Sequence, residues 1–265
     1  MQIVERTPAE VAIAVGVVVA SAVLIAVASS AGGWLLLPVT ALLTLAAWLR
    51  RIGDGDAAIW IAIVSWASVG VTSAVSLGLV WPIPQLIGLV VAVLVLRRLG
   101  IECPVWLRRG TPDRLALILA IASVPSTTVA LVAFIASGRT DLEAATEGLS
   151  SLPLWVVPLA GIGFVLANPT VEEVLFRGAL QTVVAERSGS ITAGIVVQGV
   201  AFGAIHLNGV PGGPLGMVMA GGWGLVLGVV RHRTNSIRLA WVVHVFANIA
   251  IFTTVTGLAL RDGIL

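Results

Sequence analysis

Lysine and tyrosine are absent from this 265-residue sequence, cysteine occurs once, and only 11% of the residues are charged. The single cysteine, Cys103, excludes an internal disulfide and a thiolate metal set. So few charges cannot cover an ordinary soluble surface, whereas 58% of the residues are hydrophobic and the mean hydropathy is +1.07. The sequence therefore predicts a protein whose main solvent is lipid.

All 15 basic residues are arginine, and most lie at the ends of apolar segments. This distribution anchors helices at a membrane face and argues against nucleic-acid binding. The arginines in the first connections, 50–51 and 97–114, occupy alternate loops of the predicted topology. Because arginine-rich short loops stay in the cytoplasm, we expect those loops and the N-terminus to be cytoplasmic.

Apolar runs of membrane-spanning length fill most of the chain. A hydrocarbon core of about 30 Å needs about 20 apolar residues in a helix, and lipid leaves few alternatives to a helix. The candidate spans are 11–28, 32–49, 57–79, 82–96, 115–136, 151–168, 170–186, 190–207, 214–230 and 237–260. The two that meet at Asn168-Pro169 can also be one broken span, because proline bends a helix without necessarily ending it. The prediction is an all-α, polytopic transmembrane bundle of eight to ten helices.

Three ionisable residues interrupt this apolar pattern between positions 149 and 185: Glu172, Glu173 and Arg177. Each charge at the bilayer centre costs at least about 2.5–3.5 kcal/mol, so such residues usually face a protein cavity and serve a function. Glu173 and Arg177 are four residues apart, which allows an ion pair on one helix face. Glu172 points about 100° away and needs a partner on another helix. A purely structural polar clamp between helices is the competing interpretation.

Two histidines and an asparagine occur in later apolar helices: His206, His244 and Asn248. If 170–186 and 190–207 form a hairpin, Glu172 and His206 lie at about the same depth. His244 lies one to two helical turns away from that depth. A tilted helix or a loop that dips into the membrane is therefore needed to place it beside Glu172 and His206. The glycine and alanine ladder of the next helix, residues 212, 216, 220, 224 and 228, predicts close helix packing on one face.

A carboxylate, two imidazoles and an amide in a partly dry cavity are suited to activating water for amide hydrolysis. Zinc held by Glu172, His206 and His244 is an alternative, because carboxylate and imidazole are zinc ligands. Neither a His-Glu-x-x-His nor a Gly-x-Ser-x-Gly sequence is present, so the usual zinc and serine hydrolase motifs give no support.

The order Glu172-Glu173-x-x-x-Arg177, Phe202-x-x-x-His206, His244-x-x-x-Asn248 resembles the three motifs of the CPBP family. That family comprises CAAX prenyl endopeptidases and bacterial relatives tied to bacteriocin processing or self-immunity. The resemblance covers roughly 150–255. It implies a catalytic helical core at 150–265 and leaves the transmembrane helices of 1–149 unassigned.

The resemblance implies an intramembrane endopeptidase that acts on a peptide or protein substrate at the bilayer. Glu172 and His206 would activate water, and His244 and Asn248 would support the oxyanion. Glu173, Arg177 and Phe202 would have supporting roles. It also implies glutamate-dependent chemistry without a cofactor, with zinc as the alternative, in a multi-pass membrane protein whose oligomeric state is open.

Two other functions fit a membrane bundle with buried polar groups. Broken helices lined by ionisable residues also form the ion sites of secondary transporters. A non-catalytic scaffold or immunity protein could keep the same fold and bind a peptide or another membrane protein. Loss of Glu172 would abolish the activity of a peptidase but not that of a scaffold.

Overall fold

The computed structural model describes residues 105–138, 146 and 148–265, together with residues 86 and 90. The predicted spans 11–28, 32–49 and 57–79, most of 82–96, Cys103 and the arginines at 50–51 and 97–98 lie outside these residues. Within the described part, all regular secondary structure is helical and no strand occurs. The all-α prediction is thereby confirmed.

Six α-helices make up most of the described chain. They are α1 (Arg114–Ala136), α2 (Val157–Glu172), α3 (Gln181–Ser188), α4 (Ile191–Ile205), α5 (Gly213–Thr234) and α6 (Arg238–Arg261). A π-helical segment, Glu173–Leu180, joins α2 to α3, and 3-10 turns cover Val105–Leu107 and His206–Asn208. Four stretches are long and apolar enough to cross a membrane: Arg114–Ala136, Val157–Glu186, Gly213–Thr234 and Arg238–Arg261. These are the spans of an integral membrane protein.

The predicted spans 115–136, 214–230 and 237–260 correspond to α1, α5 and α6. The structure decides one open alternative and corrects one detail. The segments 151–168 and 170–186 form one continuous 30-residue helix, Val157–Glu186, which is the alternative in which Pro169 does not end the helix. The predicted span 190–207 has only 15 α-helical residues, which rise about 22 Å and fall short of the hydrocarbon thickness.

Hydroxyl side chains support the helices near their internal prolines. Ser126 Oγ, next to Pro125 in α1, donates to the Ala122 carbonyl oxygen at 2.7 Å. Thr170 Oγ1, next to Pro169 in α2, donates to the Leu166 carbonyl oxygen at 2.7 Å. Each hydroxyl bonds the carbonyl one residue after the one that the proline leaves without its helical N–H donor, so these hydrogen bonds add support to the backbone next to each proline.

The chain divides into two compact units, unit 1 (1–107 and 174–197) and unit 2 (108–173 and 198–265). In unit 1, a Cβ added to Gly178 would lie 2.7 Å from the Trp106 ring, and one added to Gly194 would lie 2.6 Å from the Gln181 carbonyl oxygen. Glycine is therefore required at both positions for close packing. The predicted division into 1–149 and 150–265 stays a prediction.

Unit 2 is organised around α6, which packs against α1, α2 and α5, while α5 also packs against α1. Small and branched side chains form a core at the crossing of α1, α5 and α6: Ala120, Leu227, Val230, Ala240 and Val243. This packing brings the C-terminal end of α2 beside the first turns of α6. Residues of three separate sequence motifs can therefore meet within one unit.

The small-residue ladder on α5 forms a buried face, as predicted, at Gly216, Ala220, Gly224 and Gly228. A Cβ added to Gly203 of α4 would lie 2.5 Å from the Met217 carbonyl oxygen and 3.0 Å from Gly221 Cα. The backbones of α4 and α5 thus approach so closely that no side chain fits between them there.

We expect Gly203→Ala to destabilise the protein by about 1–3 kcal/mol, because the added methyl group forces α4 and α5 apart. Gly222→Ala is the matched control, since a Cβ there meets nothing within 4 Å. Both substitutions give the same gain in helix propensity, so their difference isolates the clash. Thermal unfolding in detergent measures it, and equal midpoints for the two variants would contradict the tight packing.

Candidate active site

Two consecutive glutamates contact the two ring nitrogens of one histidine. Glu172 Oε2 lies 3.2 Å from His244 Nε2, and Glu173 Oε1 lies 2.8 Å from His244 Nδ1. All three side chains are buried in unit 2. Glu172 ends α2 and Glu173 opens the π-helical segment, a type of helical irregularity that frequently occurs at functional sites.

The proton count of this cluster follows from its hydrogen bonds. An ionised carboxylate only accepts hydrogen bonds, so an imidazole that bonds two carboxylates must donate from both nitrogens and carry a positive charge. The cluster then consists of an imidazolium between two carboxylates. If one glutamate binds the proton instead, its partner nitrogen becomes the acceptor. Either way, both His244 nitrogens are engaged.

Asn168 adds a donor to this cluster. Its Nδ2 donates to Glu172 Oε2 at 3.1 Å from one turn earlier on α2, and the asparagine is buried. One turn of α6 before His244, Trp241 Nε1 donates to Thr170 Oγ1 at 3.0 Å and ties α6 to α2. In the sequence, Asn168 stands out only as part of a possible helix break. A polar side chain within an apolar helix was the signal that could have identified it as a site residue.

His206 lies at the C-terminal end of α4, where the α-helix gives way to the 3-10 turn. Its Nδ1 donates to the Phe202 carbonyl oxygen at 2.8 Å. A carbonyl oxygen only accepts, so in the neutral ring Nε2 carries the lone pair and can accept a proton or a hydrogen bond. Among the described residues, His206 makes no hydrogen bond to either glutamate.

Aromatic rings separate the two histidines. The buried Phe202 ring lies 4.6 Å from the His206 ring and 6.0 Å from the His244 ring, measured between centroids. The Trp223 ring of α5 contacts the His244 ring edge-on at 4.7 Å. These rings exclude water from one side of His244 and strengthen the electrostatic interactions of its charged groups.

Two buried side-chain donors near His244 have no hydrogen-bond partner within the described part of the chain. They are Asn248 Nδ2, one turn after His244 on α6, and Trp223 Nε1. Burying such a group without a partner costs free energy, so an exception of this kind calls for a functional explanation. Asn248 was predicted as a site residue, whereas Trp223 was not, because one tryptophan among nine in an apolar chain gives no signal.

The remaining predicted residues lie close by in sequence. Arg177 is fully buried within the π-helical segment and belongs to unit 1, so its predicted ion pair with Glu173 stays a prediction. Glu172 and His244 meet directly despite the difference in depth expected from residue counting. The packing of α2 against α6 brings them together.

The zinc alternative requires Glu172, His206 and His244 to present lone pairs to one point. Within the described ranges, no three or more His, Cys, Asp or Glu side chains are arranged to hold a metal ion. Both nitrogens of His244 are engaged by carboxylates, and His206 bonds the Phe202 carbonyl oxygen instead of either glutamate. Zinc binding by Glu172, His206 and His244 stays an alternative prediction.

Comparison with known proteins gives one finding. Residues 153–250 match the family model described as type II CAAX prenyl endopeptidase Rce1-like. No curated protein and no solved structure matches the chain. The matched segment contains all the motif residues from Glu172 to Asn248 and implies an endopeptidase with peptide or protein substrates at the membrane. The match covers less than half of the chain, so it shows that residues 153–250 are similar to the Rce1-like endopeptidases.

Proposed function

We propose that the chain is a glutamate-dependent intramembrane endopeptidase in which Glu172 activates the attacking water. The observation that supports this most strongly is the buried Glu172–His244–Glu173 cluster in helices otherwise suited to hydrocarbon. Buried ionisable groups in a membrane helix are costly and mark functional sites. A cluster of two carboxylates and one imidazole supplies the proton acceptor and the donors that amide hydrolysis needs.

Glu172 acts as the general base. A carboxylate has about four acceptor sites, so it can take a proton from water while His244 and Asn168 hold it in place. Glu172 takes that proton as the water oxygen bonds to the scissile carbonyl carbon. His206 orients the same water through Nε2, since its Nδ1–H is held by the Phe202 carbonyl.

The attack moves an electron pair onto the carbonyl oxygen, and Asn248 donates to the resulting oxyanion. Preorganised donors aimed at developing charge are often the largest single contribution to such catalysis. His244 has a positioning role in this proposal, because both its nitrogens hold carboxylates and orient Glu172. When the carbon–nitrogen bond breaks, the proton held by Glu172 passes to the leaving nitrogen.

The substrate class is a peptide anchored in or at the bilayer. The family name refers to prenylated C-terminal CAAX peptides, but the described site includes no feature that selects a prenyl chain over an apolar helix. Two probes distinguish these substrates: a farnesylated CAAX peptide and an unmodified single-span peptide, each presented in vesicles with the purified protein.

We expect the reconstituted protein to cleave at least one of these two probes, with products identified by mass spectrometry. We further expect the rate to be unchanged by a strong chelator, because in the proposed mechanism Glu172 and His206 activate the water without a metal. A scaffold or immunity protein would cleave neither probe. Loss of cleavage on chelation, restored by zinc, would contradict the metal-independent mechanism.

Trp223 provides a second donor in this proposal, since its buried Nε1–H has no partner among the described residues and its ring contacts His244. An indole N–H donates only, so it can serve an oxyanion but not a proton transfer. Trp223→Phe keeps the aromatic contact and removes the N–H. A hydrogen bond to a charged group is worth about 1.5–3 kcal/mol, so we expect kcat to fall about 10- to 100-fold with little change in KM. A wild-type kcat would remove Trp223 from the mechanism.

A further inference from the structure

Cationic side chains from distant parts of the sequence gather at one end of unit 2. Arg114 begins α1, Arg233 lies in the last turn of α5, and Arg238 begins α6. The loop before α1 contributes Arg108 and Arg109. All five arginines are exposed, and we call them the basic collar.

Specific contacts hold this loop against the turn between α5 and α6. Ser236 Oγ donates to the Arg108 carbonyl oxygen at 2.8 Å. Gly110 lies so close to the Thr234 carbonyl oxygen that a Cβ would overlap it. Arg233 bonds Asp113, the residue that caps α1, with its Nε 2.7 Å from Oδ2. The collar is therefore a built surface rather than a set of independent loop residues.

The charge of the collar is strongly unbalanced. Asp113 is the one carboxylate among residues 105–117 and 228–240, both of which are described, and it is bonded to Arg233. That hydrogen bond lowers the pKa of Asp113, so the carboxylate stays ionised and neutralises one arginine. Arg109 and Arg114 form no ion pair with any described residue. These two arginines are therefore the exposed cations of the collar on which the charge argument rests.

The opposite end of α6 is electrically balanced. Arg261 Nε and Nη2 lie 2.7 and 3.1 Å from the two carboxylate oxygens of Asp262. The two ends of the same span thus differ in net charge although both carry an exposed arginine. An excess of cationic side chains at one end of a span suits that end to contact with anions.

We propose that the basic collar binds the phosphate headgroups of anionic phospholipids. The ends of α1, α5 and α6 lie at the level of the headgroups, because these helices are long enough to cross the hydrocarbon core. Guanidinium groups bind phosphate oxygens through paired hydrogen bonds, and the chain uses arginine here without any lysine. Juxtamembrane clusters of this kind are attracted to anionic leaflets.

This binding does not depend on the proposed peptidase activity, but it fixes the depth of the candidate site. His244 lies six residues after Arg238 on α6, a rise of about 9 Å. The cluster of Glu172, Glu173 and His244 therefore lies within the leaflet whose headgroups the collar binds, about 9 Å from the headgroup level. A peptide bond would have to reach it from that side of the membrane or from within the leaflet.

The test uses phosphatidylcholine proteoliposomes prepared with and without phosphatidylglycerol. It compares how much phosphatidylglycerol each protein variant binds. Bound lipid is measured by native mass spectrometry, and stability by thermal unfolding. We expect binding to weaken about five-fold for each arginine removed in Arg109→Gln, Arg114→Gln and their double variant. Arg261→Gln, at the balanced end, should bind phosphatidylglycerol like the wild type. Arg233 is left unchanged because it holds Asp113.

Three outcomes would overturn the proposal. If Arg109→Gln and Arg261→Gln reduced phosphatidylglycerol binding equally, binding would not be specific to the arginines of the collar. Stabilisation by inorganic phosphate alone, equal to that by phosphatidylglycerol, would indicate a free-anion site instead of a lipid site. Unchanged binding by the double variant would remove the collar from lipid recognition. If the double variant fails to fold, the single variant Arg109→Gln decides, because its side chain is exposed in a loop.

Discussion

Glu172→Gln is expected to lower kcat for cleavage of the membrane-anchored probe by about 10²- to 10⁴-fold, the usual contribution of a general base. Glutamine keeps the volume of the side chain and an oxygen that can accept from Asn168 or His244. It cannot take a proton from water. The loss should therefore appear in kcat while the thermal unfolding midpoint stays close to that of the wild type.

Glu186→Gln is the matched control for this experiment. Glu186 lies on the same continuous helix, Val157–Glu186, and its side chain is exposed. The same change of carboxylate to amide there should leave kcat within about two-fold of the wild type, as is usual for surface substitutions. A Glu172→Gln enzyme with wild-type kcat would refute the general-base role, even if the protein is a peptidase.

The helices could be predicted from the sequence because lipid imposes a simple rule on length and polarity. Apolar runs of about 20 residues predicted the first and last residues of α1, α5 and α6 to within a few positions. The rule fails where helix continuity depends on tertiary packing. The sequence left open whether the helix ends at Pro169, and the structure shows that it continues from Val157 to Glu186. The π-helical segment after it has no compositional signal.

The candidate site could be predicted as a set of residues but not as a set of contacts. Buried charge in an apolar helix identified Glu172 and Glu173, and the order of motifs added His244. On an ideal helix, consecutive glutamates point about 100° apart, which predicted different partners for the two. In the structure both bond the same imidazole, at opposite nitrogens. Rotation and depth of neighbouring helices decide this, and neither can be derived from one sequence.

Two residues of the candidate site were missed for a related reason. Asn168 and Trp223 have no motif of their own, and their importance comes from where Glu172 and His244 lie in space. The glycine ladder of α5 is the exception, because small residues every four positions directly predict close approach. Close packing can thus be predicted from a local sequence pattern, whereas the chemistry of a site depends on which helix faces pack against each other.

Asn248→Ala is expected to lower kcat by about 10²- to 10³-fold, the effect of removing one oxyanion donor, with KM changed much less. The charge on the carbonyl oxygen develops only in the transition state, so the lost hydrogen bond should affect chemistry more than binding. Asn248→Asp should be at least as slow, because an ionised carboxylate cannot donate and repels the oxyanion. Thr253→Ala on the same helix is the control, since its hydroxyl bonds the Ile249 carbonyl and its side chain is exposed. A large rise in KM at constant kcat would instead assign Asn248 to ground-state binding of the peptide and leave oxyanion stabilisation to other donors.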